Sequence, residues 1–396
     1  MSQAIHTSVG TISKPAGRFY LPELDALRFF AFFGVFVYHL PMFGVLFYWN
    51  YGVLGDLAIS GVFGVDLFFT LSGYLITSLL LRERDETGDI NLKSFYARRT
   101  LRIWPLYFFV IGLTFLLTHL PASVLSAPFW GNLFPPMSLS AYVFLAVFLF
   151  NFDFANGVNQ GHGPVMYPLW SISVEEQFYL FWPWVVRYLP RKRLVLAPFV
   201  MLAIAAVAHM LSLRMKLGWN GTFTRLDPIA IGVLIALLPR FQLRTPIRLG
   251  LIIFGIVSWV VAVRYCTLPI QDTLIKVTIG YPLVALGSGA IVLAILGIQS
   301  FRSGSAIARA FIYLGKISYG LYVYNPIAKT AGYLLLFNFG LKACTAAGLP
   351  EWTAWAVYVP FTFGLNVAMA AASYRWLEAP FLRLKERFAR IPTRAV

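Results

Sequence analysis

The chain has 396 residues, of which 59% are hydrophobic and only 12% are charged. Soluble globular domains carry about 25% charged residues, so this composition excludes an ordinary soluble enzyme. The net charge of +16 would suit a nucleic-acid-binding protein, but the basic residues stand in short segments between long apolar runs. That arrangement is typical of a multi-pass membrane protein, so we expect contact with membrane lipids and no nucleic acid.

The apolar runs predict an all-α, polytopic transmembrane helical bundle of about ten spans. The runs lie at 28–49, 57–81, 102–120, 168–189, 194–213, 226–239, 249–263, 277–299, 311–337 and 353–377. An eleventh run, 141–151, is too short to cross a hydrocarbon core of about 30 Å. With both termini in the cytoplasm, 25 of the 32 Lys and Arg residues lie on the cytoplasmic side.

This topology divides the chain into three parts. A polar cytoplasmic segment is expected at 1–22, a transmembrane domain at 23–380 and a basic cytoplasmic tail at 381–396. The expected location is the plasma (inner) membrane, with multiple crossings. The two cysteines, Cys266 and Cys344, have no metal-ligand spacing, so no metal site is expected.

The first run, LDALRFFAFFGVFVYHL at 24–40, carries Arg28 and His39. Their separation of eleven residues is close to three helical turns, so both side chains share a face and His39 lies about 16 Å deeper. Asp25 precedes Arg28 by three residues and can pair with it. An intramembrane histidine is either a base, a relay or a nucleophile, or a packing residue bonded to a neighbouring helix.

The second run, GVFGVDLFFTLSGYLIT at 61–77, places Asp66 inside an apolar helix. Asp66 is either a catalytic group or a buried acid that bonds across helices. For Gly61, Gly64 and Gly73 we expect close packing against neighbouring helices.

The segment SFYARRTLRIWPLYFF at 94–109, which leads into the third run, carries Arg98, Arg99 and Arg102. Three arginines at a cytoplasmic interface either bind anionic lipid or form a phosphate site, because guanidinium groups grip phosphate oxygens in pairs.

Two later segments carry further candidates. LWSISVEEQFYLFWP at 169–183 contains Glu175 and Glu176, which differ by about 100° around a helix, so at most one can face a given cavity. A buried carboxylate there needs a partner, and a histidine on a neighbouring helix is a natural one. FTRLDPIAIG at 223–232 places Arg225 and Asp227 where they either position a polar substrate or end a helix.

These segments, in this order, resemble the acyltransferase 3 family of integral-membrane acyltransferases over almost the whole chain. LDALRFFAFFGVFVYH resembles the Arg-x10-His signature of that family, and GVDLFFTLSGYLIT is similar to its GVDLFFVLSGFLIT segment. RRTLRIWP, WSISVEEQFY, SYGLYVY and LEAPF resemble four further segments. The chain departs from the family at Asn325, where a histidine is frequent, and an amide cannot titrate.

The resemblance implies transfer of an acyl group, usually acetyl, from acyl-CoA to a hydroxyl of a cell-surface or lipid-linked glycan. Combined with the charged and aromatic residues of the spans, it gives three candidate sets of site residues. The catalytic set is His39, Glu175 and Asp66, with Glu175 orienting the imidazole of His39. The residues expected to bind the CoA donor are Arg28, Arg98, Arg99 and Arg102. The residues expected to bind the acceptor are Arg225, Asp227 and Trp170.

Three alternatives stay open at this stage. The chain could be a proton-coupled transporter or flippase in which His39, Asp66 and Glu175 form a relay, although no internal repeat supports this. The acceptor could be a macrolide instead of a polysaccharide. A separate or fused extracytoplasmic transferase could also take part, and the sequence names no such partner.

Overall fold

The computed structural model describes residues 20–40, 52–120, 134–152, 163–215, 219–239, 242–266, 273–298, 301, 305–350 and 352–388. Within these ranges the chain forms helices and connecting turns and no strand, so the all-α prediction is confirmed there. In chain order the helices are α1 (Pro22–Tyr38), α2 (Gly52–Ser60), α3 (Gly64–Thr87), α4 (Leu92–Thr118), α5 (Leu139–Ala146), α6 (Leu169–Tyr188), α7 (Arg191–Leu194), α8 (Ala197–Met215), α9 (Leu226–Leu237), α10 (Thr245–Val261), α11 (Tyr281–Ile295), α12 (Ala306–Lys316), α13 (Ser318–Gly332), α14 (Asn338–Ala346), α15 (Trp352–Ser373) and α16 (Ala379–Lys385).

Six helical stretches of the described chain are long and apolar enough to cross a membrane. They are Gly52–Thr87, Leu92–Thr118, Arg191–Arg214, Thr245–Cys266, Lys276–Ile295 and Trp352–Phe388. Together they support a membrane protein. The count of ten spans and the cytoplasmic position of both termini stay predictions.

The remaining predicted spans correspond to shorter or more polar helices. Helix α1 ends at Tyr38, and positions 41–49 of the first predicted span lie outside the described residues. The first part of the apolar run at 141–151 belongs to α5, whose eight residues rise about 12 Å and therefore cannot cross a bilayer, and the helix ends before position 147. Most of the predicted segment 1–22, and positions 389–396 of the predicted tail, also lie outside the described residues.

Helix α3 lies at the centre of the bundle and packs against α1, α6, α9 and α11. Glycines make the closest approaches possible, as predicted. A Cβ atom on Gly61 or Gly64 would collide with the backbone carbonyl groups of Gly34 or Ala31 in α1, and one on Gly73 would collide with the carbonyl of Ile229 in α9. This packing brings Arg28 of α1 and Ser72 of α3 to one interior cavity.

Candidate active site

A cavity of about 90 Å³ lies where α1, α3, α4, α6 and α13 meet; we call it the arginine cavity. Its polar lining consists of Arg28, Ser72, Arg99, Arg102, Ser171, Glu175, Tyr179, Ser318, Tyr319 and Tyr322. It continues into a recess of about 120 Å³ at the beginning of α1, which we call the mouth and which is lined by the same three arginines and by Lys385. Cationic groups therefore line both the cavity and its mouth.

Local helix geometry explains how the arginines converge. Helix α4 begins after Asn91, whose side-chain oxygen accepts a 2.9 Å hydrogen bond from the backbone N–H of Ser94, an ordinary N-cap. Arg99 and Arg102 are three residues apart on α4 and so project from one side of it. Arg28 reaches the same cavity from α1, with one guanidinium nitrogen 3.8 Å from the carboxylate of Asp25, which confirms the predicted pair.

Arg98, which we predicted to bind the donor, has a different environment. Its buried guanidinium donates a 3.0 Å hydrogen bond to the carboxylate of Glu83 on α3 and a 2.7 Å hydrogen bond to the backbone carbonyl of Phe388. Arg98 is not among the lining residues of the arginine cavity. These contacts give Arg98 a structural role that joins α4 to α3 and to the C-terminal turn.

Glu175 lies in the arginine cavity and not beside His39 as we predicted. Its carboxylate accepts a 2.6 Å hydrogen bond from the Ser72 hydroxyl and a 3.0 Å hydrogen bond from the Tyr179 hydroxyl. Glu176 points toward α4, where its carboxylate accepts a hydrogen bond from the indole of Trp104. The two glutamates therefore face different helices, as their 100° separation requires, but the expected contact between Glu175 and the imidazole is absent from the described contacts.

A larger cavity of about 560 Å³ contains His39; we call it the histidine cavity. Its aromatic and amide side chains are Tyr38, Tyr167, Trp170, Trp219, Tyr322, Tyr333, Tyr358, Asn220 and Asn325. Among the described residues, Val65 and Tyr322 line both this cavity and the arginine cavity. The two cavities are therefore neighbours, and together with the mouth they form a row of three spaces along α1, from Leu21 to His39, which we call the path.

The contacts of the His39 ring fix its tautomer. Nδ1 lies 2.8 Å from the backbone carbonyl oxygen of Val35. Because a carbonyl only accepts hydrogen bonds, Nδ1 carries the proton and Nε2 keeps a free lone pair. The side chain is exposed to the cavity, so Nε2 can act as a base toward a molecule bound there.

Tyr322 separates the two cavities. Its hydroxyl lies 2.9 Å from the hydroxyl of Ser171, which also donates to the backbone carbonyl of Pro168. On the histidine side, Trp170 packs against Phe69 and Trp219, with ring centroids 6.1 and 5.4 Å apart. Of the residues predicted to bind an acceptor, Trp170 is the one that lines this cavity.

Asp66, Arg225 and Asp227 form a separate buried cluster with His209. One Arg225 nitrogen donates a 2.8 Å hydrogen bond to Asp66, and Asp227 lies 3.5 Å from the imidazole of His209. The guanidinium also lies over the rings of Trp219 and Tyr281. We predicted catalysis for Asp66 and acceptor binding for Arg225 and Asp227, but these three side chains contact partners within the protein and line none of the three spaces described above.

Because these side chains are paired inside the protein, we expect substitutions in this cluster to lower the stability of the fold and not to act on catalysis directly. Removing one partner of a buried ion pair leaves an uncompensated charge and costs about 3–5 kcal/mol, so Arg225→Met should lower the thermal midpoint of the purified protein strongly. Arg191→Met is the matched control, since Arg191 forms an exposed pair with Asp85 and exposed pairs contribute about 0–1 kcal/mol. If Asp66→Asn keeps a normal thermal midpoint but loses turnover, the sequence-based prediction of a catalytic role for Asp66 would be restored.

Sequence reasoning missed Ser72, Tyr179, Tyr322 and Lys329, which all line the described path. Helical spacing would have revealed part of this set. Tyr322, Asn325, Lys329 and Tyr333 recur at intervals of three or four residues, which is one face of a helix, and all four line the histidine cavity.

Comparisons with known proteins identify the family of the chain. A family model described as an acyltransferase domain matches residues 21–371. The O-acetyltransferase OatA of Staphylococcus aureus strain NCTC 8325 / PS 47 is 29% identical over 378 residues, and so is OatA of strain COL. Each alignment covers 91% of this chain but 57% of the relative, so the chain spans little more than half the length of these relatives. No solved structure matches the chain. The family model covers most of the sequence, and the chain belongs to the acyltransferase 3 family.

Proposed function

We propose that the chain is a membrane O-acyltransferase that moves an acyl group, most simply acetyl, from acyl-CoA to a hydroxyl group. The observation that carries this proposal is the adjacency of the two cavities, one lined by three arginines and the other by the exposed imidazole of His39. The family membership and the O-acetyltransferase relatives support the same reaction class.

The donor is assigned to the arginine side by charge. CoA carries several phosphate groups, and Arg28, Arg99 and Arg102 present guanidinium forks at the mouth and in the cavity behind it. The mouth is lined by Leu21 and Leu24 at the beginning of α1, and phosphates bound there would direct the pantetheine arm inward. The arm would pass Val65 and Tyr322, which border both cavities, to bring the thioester to His39.

The chemistry at His39 follows from its tautomer. Nε2 takes the proton of the acceptor hydroxyl as the hydroxyl oxygen attacks the thioester carbonyl carbon. The resulting tetrahedral adduct then expels the CoA thiolate, which recovers that proton from the imidazolium and leaves as the free thiol. Transfer through an acyl-imidazole at the same nitrogen uses the same positions and gives the same products.

The acceptor is assigned to the histidine cavity by shape and lining. Trp170, Trp219 and Tyr167 offer flat apolar faces, and Asn220 and Asn325 offer amide groups, a combination that suits a sugar ring with several hydroxyls. We infer that a cell-surface or lipid-linked glycan is the acceptor class. A macrolide would contact the same aromatic surfaces, so the two acceptor classes are distinguished by the transfer experiment below.

A proton-coupled transporter is less well supported. The relay considered from the sequence required His39, Asp66 and Glu175 to lie together. Instead, His39 lines the histidine cavity, Asp66 pairs with Arg225, and Glu175 bonds to Ser72 and Tyr179 in the arginine cavity.

The proposal is tested by following label from [acetyl-14C]acetyl-CoA with the purified protein. We expect release of free CoA thiol together with transfer of label to lipid-linked or envelope glycans, and no transfer when free acetate replaces the thioester. Transfer to a macrolide panel but not to glycans would change the acceptor class. Consumption of acetyl-CoA no faster than in a protein-free control, across both acceptor sets, would contradict the proposed reaction.

A further inference from the structure

Lys329 lies in the histidine cavity and has no function assigned to it so far. It belongs to α13, and its ammonium group donates a 3.2 Å hydrogen bond to the backbone carbonyl oxygen of His39. The side chain is partly exposed. The ammonium is therefore held next to the residue whose imidazole serves as the base, within the space assigned to the acceptor and the reacting thioester.

Among the described residues, no carboxylate in this cavity compensates the positive charge of Lys329. No Asp or Glu lines the histidine cavity within the described part of the chain. A charged side chain inside a membrane-spanning bundle costs a few kcal/mol and is usually paired or functional. An unbalanced cation beside a reactive imidazole thus indicates that negative charge develops in this cavity at some stage.

The reaction supplies that charge at one atom. When the acceptor oxygen, or the imidazole itself, bonds to the thioester carbonyl carbon, the π electrons of the carbonyl move to its oxygen and form an oxyanion. The charge persists until the carbon–sulfur bond breaks and its electrons leave with the CoA thiolate. Preorganised donors aimed at such an oxygen are among the strongest contributors to acyl-transfer rates.

We propose that Lys329 is a catalytic residue whose ammonium group donates a hydrogen bond to this oxyanion. An ammonium has three N–H donors, so one can stay on the His39 carbonyl while another reaches the oxyanion. The bond to the His39 backbone thereby fixes the cation relative to the base. The arginines lie in the other cavity with the phosphates, which leaves Lys329 as the cation positioned for this role among the described residues.

The inference rests on the proposed acyl transfer and is tested by steady-state thiol release with acetyl-CoA. Lys329→Met and Lys329→Gln both remove the charge, and Gln keeps a neutral donor for the His39 carbonyl. We expect kcat to fall about 10²- to 10³-fold in both, with the KM for acetyl-CoA within threefold of wild type. Lys329→Arg, which keeps the positive charge, should have a kcat at least tenfold higher than that of Lys329→Met. Lys342→Met is the matched control, because Lys342 is exposed and lines none of the described cavities.

Each outcome decides the point. A folded Met or Gln variant that keeps a third or more of the wild-type kcat overturns the assignment, as does a change confined to KM. Folding is checked by elution as a single species and by retained CoA binding, which depends on the other cavity. If the Met variant does not fold, the same kcat and KM criteria are applied to the Gln variant. If turnover is unchanged when His39 is replaced, both the proposed function and this inference are contradicted. If turnover is lost in the His39 variant but unchanged in the Lys329 variants, only the role proposed for Lys329 is contradicted.

Discussion

Replacing His39 with alanine is expected to lower kcat by about 10²- to 10⁴-fold, the range typical for removal of a general base. The ring is the one imidazole that lines the histidine cavity in the described chain, and its Nε2 faces that space with a free lone pair. Binding of CoA should persist, because Arg28, Arg99 and Arg102 lie in the neighbouring cavity. The measurement is the rate of thiol release at saturating acetyl-CoA, with CoA binding followed separately.

His119→Ala is the control for that experiment. His119 is exposed at the end of α4, where its ring bonds to the backbone of Phe115 and to Thr118, and it lines none of the cavities. It should keep wild-type kcat. Equal loss in the two variants would show a general effect of removing histidine, and full activity of His39→Ala would remove His39 from the reaction.

Replacing Arg102 with alanine is expected to raise the KM for acetyl-CoA by about 10- to 100-fold while kcat changes little. A hydrogen bond to a charged group contributes about 1.5–3 kcal/mol, and each 1.4 kcal/mol is tenfold in affinity. Arg102 lines both the arginine cavity and its mouth, so its guanidinium is placed for the donor phosphates. Initial rates over a range of acetyl-CoA concentrations give both constants.

Arg98→Ala provides the matched comparison within the same turn of helix. Arg98 bonds to Glu83 and to the Phe388 carbonyl, so its loss should lower the thermal midpoint and leave the KM of the folded fraction near wild type. Two variants with the same KM shift would restore the sequence-based prediction that all four arginines bind the donor. No KM change in Arg102→Ala would favour contact with membrane lipid as the role of that residue.

Much of the fold could be predicted because membrane helices are recognisable in a sequence as long apolar runs. The apolar runs predicted most helices, and Gly61, Gly64 and Gly73 were predicted to allow close packing, which the structure shows against α1 and α9. The shared face of Arg28 and His39, inferred from their eleven-residue spacing, stays a prediction. These inferences depend on a single helix and its period, and so a sequence is sufficient for them.

The partners of the buried polar groups could not be predicted in the same way, because they depend on which helices meet. Arg98 and Arg102 are one turn apart and look alike in the sequence, yet Glu83 on α3 reaches only Arg98 among the contacts described. Glu175 was predicted to support His39, but the hydroxyls of Ser72 and Tyr179 lie closer to it. Glu83 and Ser72 both belong to α3, so the position of that helix selected these two partners, whereas Tyr179 lies four residues after Glu175 on α6 itself.

The most direct measurement is the sidedness of thiol release in proteoliposomes. Because the mouth of the arginine cavity lies at the beginning of α1, after the segment predicted to be cytoplasmic, a protease-sensitive tag on that segment marks the predicted face of the mouth in each vesicle. With orientation sorted in this way, acetyl-CoA should be consumed only when supplied at the tagged face, and His39→Ala should abolish that consumption. Equal release from acetyl-CoA on either face, or release from the tagged face that does not depend on His39, would contradict transfer along a path from the arginines to the imidazole.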